Sequence, residues 1–283
     1  MSGGITTYNL REGYRSEFIA NYIFSAFGPS TKLSSESDYG IDFLCNIAKR
    51  KGKILNVGNS YGVQVKSLGV EFEYSGAQAT RWLKSLEFPL LLCRIDKVNS
   101  NIKIYSTWNI TNYLLSLPSD EENLFAKSIQ FIIDDNMIEL EMAKVVEQAA
   151  MIPVGKPILD FQFSDIDDEK IREEYLLIMN EWITMDSKNI FFRNAGIPIC
   201  SGYIKWETNR SLNNSSRTWY KPHHYSAYHY KNISEVIINC STCLALWYEA
   251  NEKNDLLLNL KKFMKNNFND AEYDDFQKSK LKN

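Results

Sequence analysis

The stretch IDFLCNIAKRKGKILNVGNSYGVQVKS, Ile41–Ser67, decides how this chain reads. Ile41 to Ile47 is rich in β-branched and aromatic residues, which predicts a strand. Lys49, Arg50, Lys51 and Lys53 surround Gly52, the signature of a hairpin turn leading into Ile54–Val57. Gly58-Asn59-Ser60 reads as a second turn and Tyr61–Ser67 as a third strand. Successive side chains on a strand point to opposite faces. Gln64 and Lys66 therefore share one face, while Val63 and Val65 share the other.

Working outward, Arg11–Phe27 places aromatic residues at helical spacing and ends at Gly28-Pro29, a stop signal. That aromatic face, residues 14–27, is expected to be core. Beyond Ser67 the pattern predicts a helix at Gln78–Leu86, strands at Pro89–Ile95 and Ile102–Trp108, and a helix at Ile110–Leu117. Asp134–Leu140 reads as a strand and Glu141–Ala150 as a helix. The order predicts an α/β fold, a mixed sheet flanked by helices. Pro153-Val154-Gly155-Lys156-Pro157 is the expected boundary, giving domains 1–152 and 158–283. Helices at Asp167–Met185 and Ile233–Glu249 make the second region mainly helical.

Bulk properties bound the function. The chain has 283 residues and a formal charge of −3, which on its face disfavours a nucleic-acid partner. The charge is segregated, however. Residues 1–103 are +4, residues 104–155 are −6, and the remainder is −1. No apolar run approaches the roughly 20 residues of a membrane span. No secretory h-region precedes the first helix, and five scattered cysteines make no disulfide framework, so a cytoplasmic protein is expected.

Four residues carry a chemical pattern: Glu17 in the first helix, Asp42 at a strand start, and Gln64 and Lys66 at i, i+2. Hard oxygen donors suit Mg²⁺, which acidifies a bound water, and a lysine beside them offsets charge building on a phosphate. The order Glu17, then Asp38-Tyr39-Gly40-Ile41-Asp42-Phe43, then Val63-Gln64-Val65-Lys66-Ser67 resembles the PD-(D/E)xK nuclease superfamily. With Trp82-Leu83, Phe88-Pro89-Leu90-Leu91-Leu92 and Ile104–Trp108, it is most similar to the bacterial DUF4365 branch and to Mrr-like restriction endonucleases. The resemblance spans about residues 9–140.

That resemblance implies a restriction-endonuclease-like sheet and Mg²⁺- or Mn²⁺-dependent DNA hydrolysis leaving 5′-phosphate ends, in defence against foreign DNA. Asp42 would be the main metal ligand, and Glu17 would complete the metal sphere. Gln64 stands where many relatives have Asp or Glu. Lys66 would position the attacking water. The alternative is a catalytically inactive relative that binds nucleic acid or scaffolds a defence complex, with an ATPase as a partner. Paired cuts on two strands would favour a homodimer.

Lys49, Arg50, Lys51 and Lys53 suit DNA phosphates close to Asp42, or equally a solvated turn, and Lys32 reads the same way. His223, His224 and His229 sit among tyrosines without nearby ligand partners, which suits a contact surface better than a metal. Cys240-Ser241-Thr242-Cys243 lies in a helical pattern, and its thiols are expected to be buried. The glycines form no phosphate loop, so an NTPase is not expected.

Overall fold

The computed structural model of the chain describes residues 8–33, 40–116, 127–136, 143–146, 148–195, 199–202, 208–210, 218–220, 225–228, 233–268, 273–274 and 276. His223, His224 and His229 lie outside the described residues, as do Asp38 and Tyr39. The chain divides into two compact units, Met1–Phe191 with Cys200–Ala227, and Phe192–Ile199 with Tyr228–Asn283. It is a mixed α/β protein. Among the described residues, no helix is long and apolar enough to cross a membrane.

The first unit opens with α1 (Tyr8–Phe27), in which Ala20, Ile23, Phe24 and Phe27 recur at i, i+3, i+4 and i+7 and are buried. Tyr14, Phe18 and Tyr22 are exposed on a different stripe of the helix, so the aromatic face is only half core. Strands β1 (Ser30–Lys32), β2 (Phe43–Lys51) and β3 (Ile54–Ser67) follow, then β4 (Phe72–Ser75), α2 (Ala77–Ser85), β5 (Leu90–Asp96), β6 (Asn101–Ser106) and α3 (Asn109–Ser116). β3 pairs antiparallel with β2 and parallel with β5. Gly58-Asn59-Ser60 lies within β3, opposite a register shift between Asn46 and Ala48. It is an irregularity in a continuous strand rather than a turn.

The segment expected to be helical at Glu141–Ala150 is a correction. It supplies β8 (Lys144–Val146) and the start of β9 (Ala149–Gly155). Both join a four-stranded sheet, ordered β4-β7-β9-β8, with β7 at Ser128–Ile133. Ala150 and Ile152 are fully buried there, and that burial overrides the local helix preference of Glu, Met and Ala.

The prolines at 153 and 157 do not end the first unit. β10 (Leu159–Gln162) pairs antiparallel with β6, and β13 (Thr218–Tyr220) and β12 (Thr208–Arg210) extend the same sheet. Its eight strands run β1-β2-β3-β5-β6-β10-β13-β12. A separate two-stranded sheet pairs β11 (Ile199–Gly202) with β14 (Tyr225–Tyr228). The region beyond residue 158 thus contributes five short strands as well as helices.

Two cores flank the eight-stranded sheet. On one face, Phe43, Cys45, Val63, Val65, Leu91 and Cys93 pack with α1 and with Tyr175, Met179, Trp182 and Ile183 of α4 (Glu169–Asn194). On the other, Leu90, Leu92 and Tyr105 pack with Leu83 of α2, Tyr113 of α3 and Phe72, Phe131 and Ile152 of the second sheet.

The second unit contains the helices α5 (Ile233–Ala250) and α6 (Asn254–Asn267). The buried stripe of α5 is Ile238, Ser241, Thr242 and Ala245, at i, i+3, i+4 and i+7. Thr242 Oγ1 donates to the Ile238 carbonyl at 2.8 Å, so its hydroxyl is satisfied inside. Cys240 and Cys243 flank that stripe and are exposed, which corrects the expectation of buried thiols. Cys45, Cys93 and Cys200 are buried, and burial pushes the Cys45 thiol up to about 11 and Cys93 further still. Native alkylation at neutral pH is expected to label Cys240 and Cys243 alone, with the other three reacting only after denaturation. Mass spectrometry reads the sites, and rapid native labelling of Cys45 would contradict this burial.

Candidate functional site

The site grows from the point where β2 begins. Leu33 N–H donates to the Asp42 carbonyl at 2.9 Å, and Asp42 N–H donates to the Val63 carbonyl at 2.8 Å. The backbone of Asp42 is thereby held on both sides. The next N–H of β3 on that side belongs to Val65, and the Asp42 Oδ2 atom accepts it at 2.6 Å. Val65 lies between Gln64 and Lys66, so this bond fixes the carboxylate at the level of both residues. Gly40 sets the approach. It has φ +86°, and a Cβ there would meet the Tyr74 ring at 2.2 Å. The Tyr74 hydroxyl donates to the Gly40 carbonyl at 2.6 Å and locks the bend.

Gln64 and Lys66 alternate with Val63 and Val65, which pack toward α1, so they point to the opposite face of the sheet. Gln64 is buried, and its Oε1 atom has no hydrogen-bond partner. A buried acceptor without a donor is costly. Lys66 is half-buried.

The register shows what the sequence did not. Lys66 pairs with Arg94 across β3 and β5, Arg94 with Lys103 across β5 and β6, and Lys103 with Asp160 of β10. Adjacent strands lie about 4.8 Å apart, so three cations form a row across the sheet. Lys103 is neutralised by Asp135, and by Asp160 at 3.6 Å. Arg94 donates through Nη2 to the Val70 carbonyl at 3.4 Å and lies over the Phe72 ring, but its Nε is buried without a partner. The available signal was a single charge, Arg94, inside the otherwise apolar run Leu90–Ile95.

Glu17 comes from the α1 side. Its carboxylate is 2.6 Å from Lys32 Nζ, and that ammonium lies 5.2 Å from the centre of the Tyr14 ring. Lys32 is the register partner of Phe43, beside Asp42, and Ser16 is tied to Ser67 by a 2.8 Å hydroxyl contact. Glu17 thus reaches the same end of the sheet, but through Lys32 rather than on the face of Gln64 and Lys66.

The basic hairpin is elsewhere. Lys49, Arg50, Lys51 and Lys53 lie at the far end of β2 and β3 from Asp42 and Lys66. Nine residues of β2 separate the two ends, about 26 Å at strand rise. The expected closeness of these cations to Asp42 is therefore corrected: a hairpin turn is by construction the opposite end from its open strand termini.

No family model, curated protein or solved structure matches this chain. Among the described residues, no group of three or more His, Cys, Asp and Glu side chains is placed to hold a metal ion. Asp42, just ahead of β2, and Gln64 of the adjoining β3 nonetheless offer hard oxygens, and the orphaned Oε1 of Gln64 fits a cation. One carboxylate with substrate phosphate and water suits Mg²⁺, which rarely takes an all-protein cage.

Proposed function

We propose that this chain is a divalent-metal-dependent nuclease hydrolysing DNA phosphodiesters, with defence against foreign DNA as its setting. The observation that carries the reading is the bond from Val65 N–H to Asp42 Oδ2, which fixes a carboxylate beside Gln64 and Lys66. Mg²⁺ or Mn²⁺ bound by Asp42 and Gln64 would supply positive charge to the phosphate and acidify water. The Lys66 ammonium is the group that offsets charge developing on the phosphate oxygens. Arg94, its register partner on β5, reinforces that field. Glu17 holds Lys32 and thereby shapes the rim of the site.

A second reading, a nuclease fold that binds DNA or scaffolds a partner without cutting, is favoured by two features. Gln64 carries no charge, and the Glu17 carboxylate is already paired with Lys32. The deciding experiment incubates supercoiled and linear DNA with Mg²⁺ or Mn²⁺ and compares wild type with Asp42→Ala. Metal-dependent cleavage lost in the variant supports the nuclease. Equal activity in both, or DNA retention without cleavage in both, sinks it. Arg94→Gln is expected to lower the cleavage rate about tenfold, by loss of one charged contact of about 1.5 kcal/mol. An unchanged rate in that variant removes Arg94 from the site.

A further inference from the structure

We infer that the β2–β3 hairpin is a DNA-binding arm, separate from the Asp42 site and independent of metal. From Lys49 through Lys51 and from Ile54 through Ser60 every residue is exposed, so the two strands form a solvated ribbon, tied to α4 at its base by Asn59 Nδ2 donating to Thr184 Oγ1 at 3.0 Å. No acidic residue occurs between Asp42 and Glu71, while Lys49, Arg50, Lys51 and Lys53 cluster at the tip. Among the described residues, Lys49, Lys51 and Lys53 have no ion-pair partner. Arg50 pairs with Glu169 at 3.9 Å, an exposed contact of little energetic weight.

A groove of about 370 Å³ runs between the arm and α4, lined by Ala48, Lys49, Arg50, Leu55, Glu169 and Glu173 among others. The two glutamates mark that flank as unsuited to a polyanion, so the arm engages DNA through its tip. Ile54, Leu55 and Val57 remain more than half exposed, side chains that an arm needing only solubility would not carry. A two-stranded ribbon fits the major groove of B-form DNA, where cations meet phosphates and apolar side chains meet thymine methyl groups. The deep, narrow major groove of an RNA duplex excludes it. The arm tip and the Asp42 site lie within one duplex turn of each other, so one DNA helix along β2 and β3 would reach both. That last clause rests on the nuclease reading, whereas the arm's affinity does not.

The test is fluorescence anisotropy of the full chain with a labelled DNA duplex of about two helical turns, in EDTA, across a salt series. Wild type is expected to bind. The triple variant Lys49→Gln/Lys51→Gln/Lys53→Gln is expected to bind at least tenfold more weakly, with a log–log salt slope shallower by about 3. The matching Lys→Arg triple retains affinity, and Ile54→Ser weakens binding without changing the slope. No binding by wild type, or an unchanged affinity and slope in the glutamine triple, overturns the arm. Equal binding to an RNA duplex or to anionic vesicles overturns the assignment to DNA. Binding that depends on the arm but without cleavage at any metal concentration leaves the arm standing and removes the nuclease reading alone.

Discussion

Lys66→Ala is expected to reduce Mg²⁺-dependent DNA cleavage by about 10²–10³-fold while leaving the fold intact. The magnitude is that of removing one preorganised group aimed at developing charge. The fold survives because Lys66 is half-buried and lies outside both apolar cores. Asp42 behaves differently. Asp42→Asn keeps an oxygen for the Val65 N–H and removes only the charge, so it loses cleavage at nearly wild-type stability. Asp42→Ala also strips the acceptor from a buried N–H, adding a destabilisation of about 1–3 kcal/mol. Initial rates on plasmid DNA and equilibrium urea unfolding separate the two effects. Full activity in Lys66→Ala would remove this residue from the chemistry.

The largest effect on stability is expected at Trp108, on the link between β6 and α3. Its indole is almost fully buried in the core that holds α1 and α4. Gly202 of β11 lies flat against it, and a Cβ there would stand 2.0 Å from the ring. Trp108→Ala is expected to cost about 3–5 kcal/mol, since the ring leaves a void that the rigid strands around it cannot fill. Gly202→Ala overpacks the same place and costs about 1–3 kcal/mol. Trp108→Phe is the milder change, because the indole N–H is buried without an acceptor and its loss relieves an unsatisfied donor. Urea unfolding followed by circular dichroism ranks the three variants. Trp108→Phe proving as damaging as Trp108→Ala would contradict the account.

Much of the central frame was legible because its signals are local. Alternation identified Tyr61–Ser67, helical spacing gave Arg11–Phe27, and Gly28-Pro29 marked the helix end. Pairing was not legible. Glu141–Ala150 has helix-forming residues and becomes strand only because β7 supplies a partner. Strands β10, β12 and β13 are too short to signal alone. Gly58-Asn59 reads as punctuation, yet neighbouring β2 carries the strand through it. In the candidate site, Asp42, Gln64 and Lys66 were readable from order and alternation. Arg94 was not, since its place beside Lys66 exists only in the register of two parallel strands. The distance of the basic hairpin from Asp42 has a simpler reason: residues seven to eleven apart along a strand and its turn are near in the chain but far in space.

The assembly of the eight-stranded sheet has a consequence for synthesis. Strand β10 covers the open side of β6, and β13 and β12 cover β10 in turn. A nascent chain emerging from the ribosome therefore has α1, β2, β3, β5 and β6 in hand long before the strands that close their border. Until about residue 162 is free, that border offers unpaired N–H and C=O groups beside apolar Ile102 and Ile104. The vulnerable period of this protein is its own translation, and a chaperone bound to the young chain would be guarding β6.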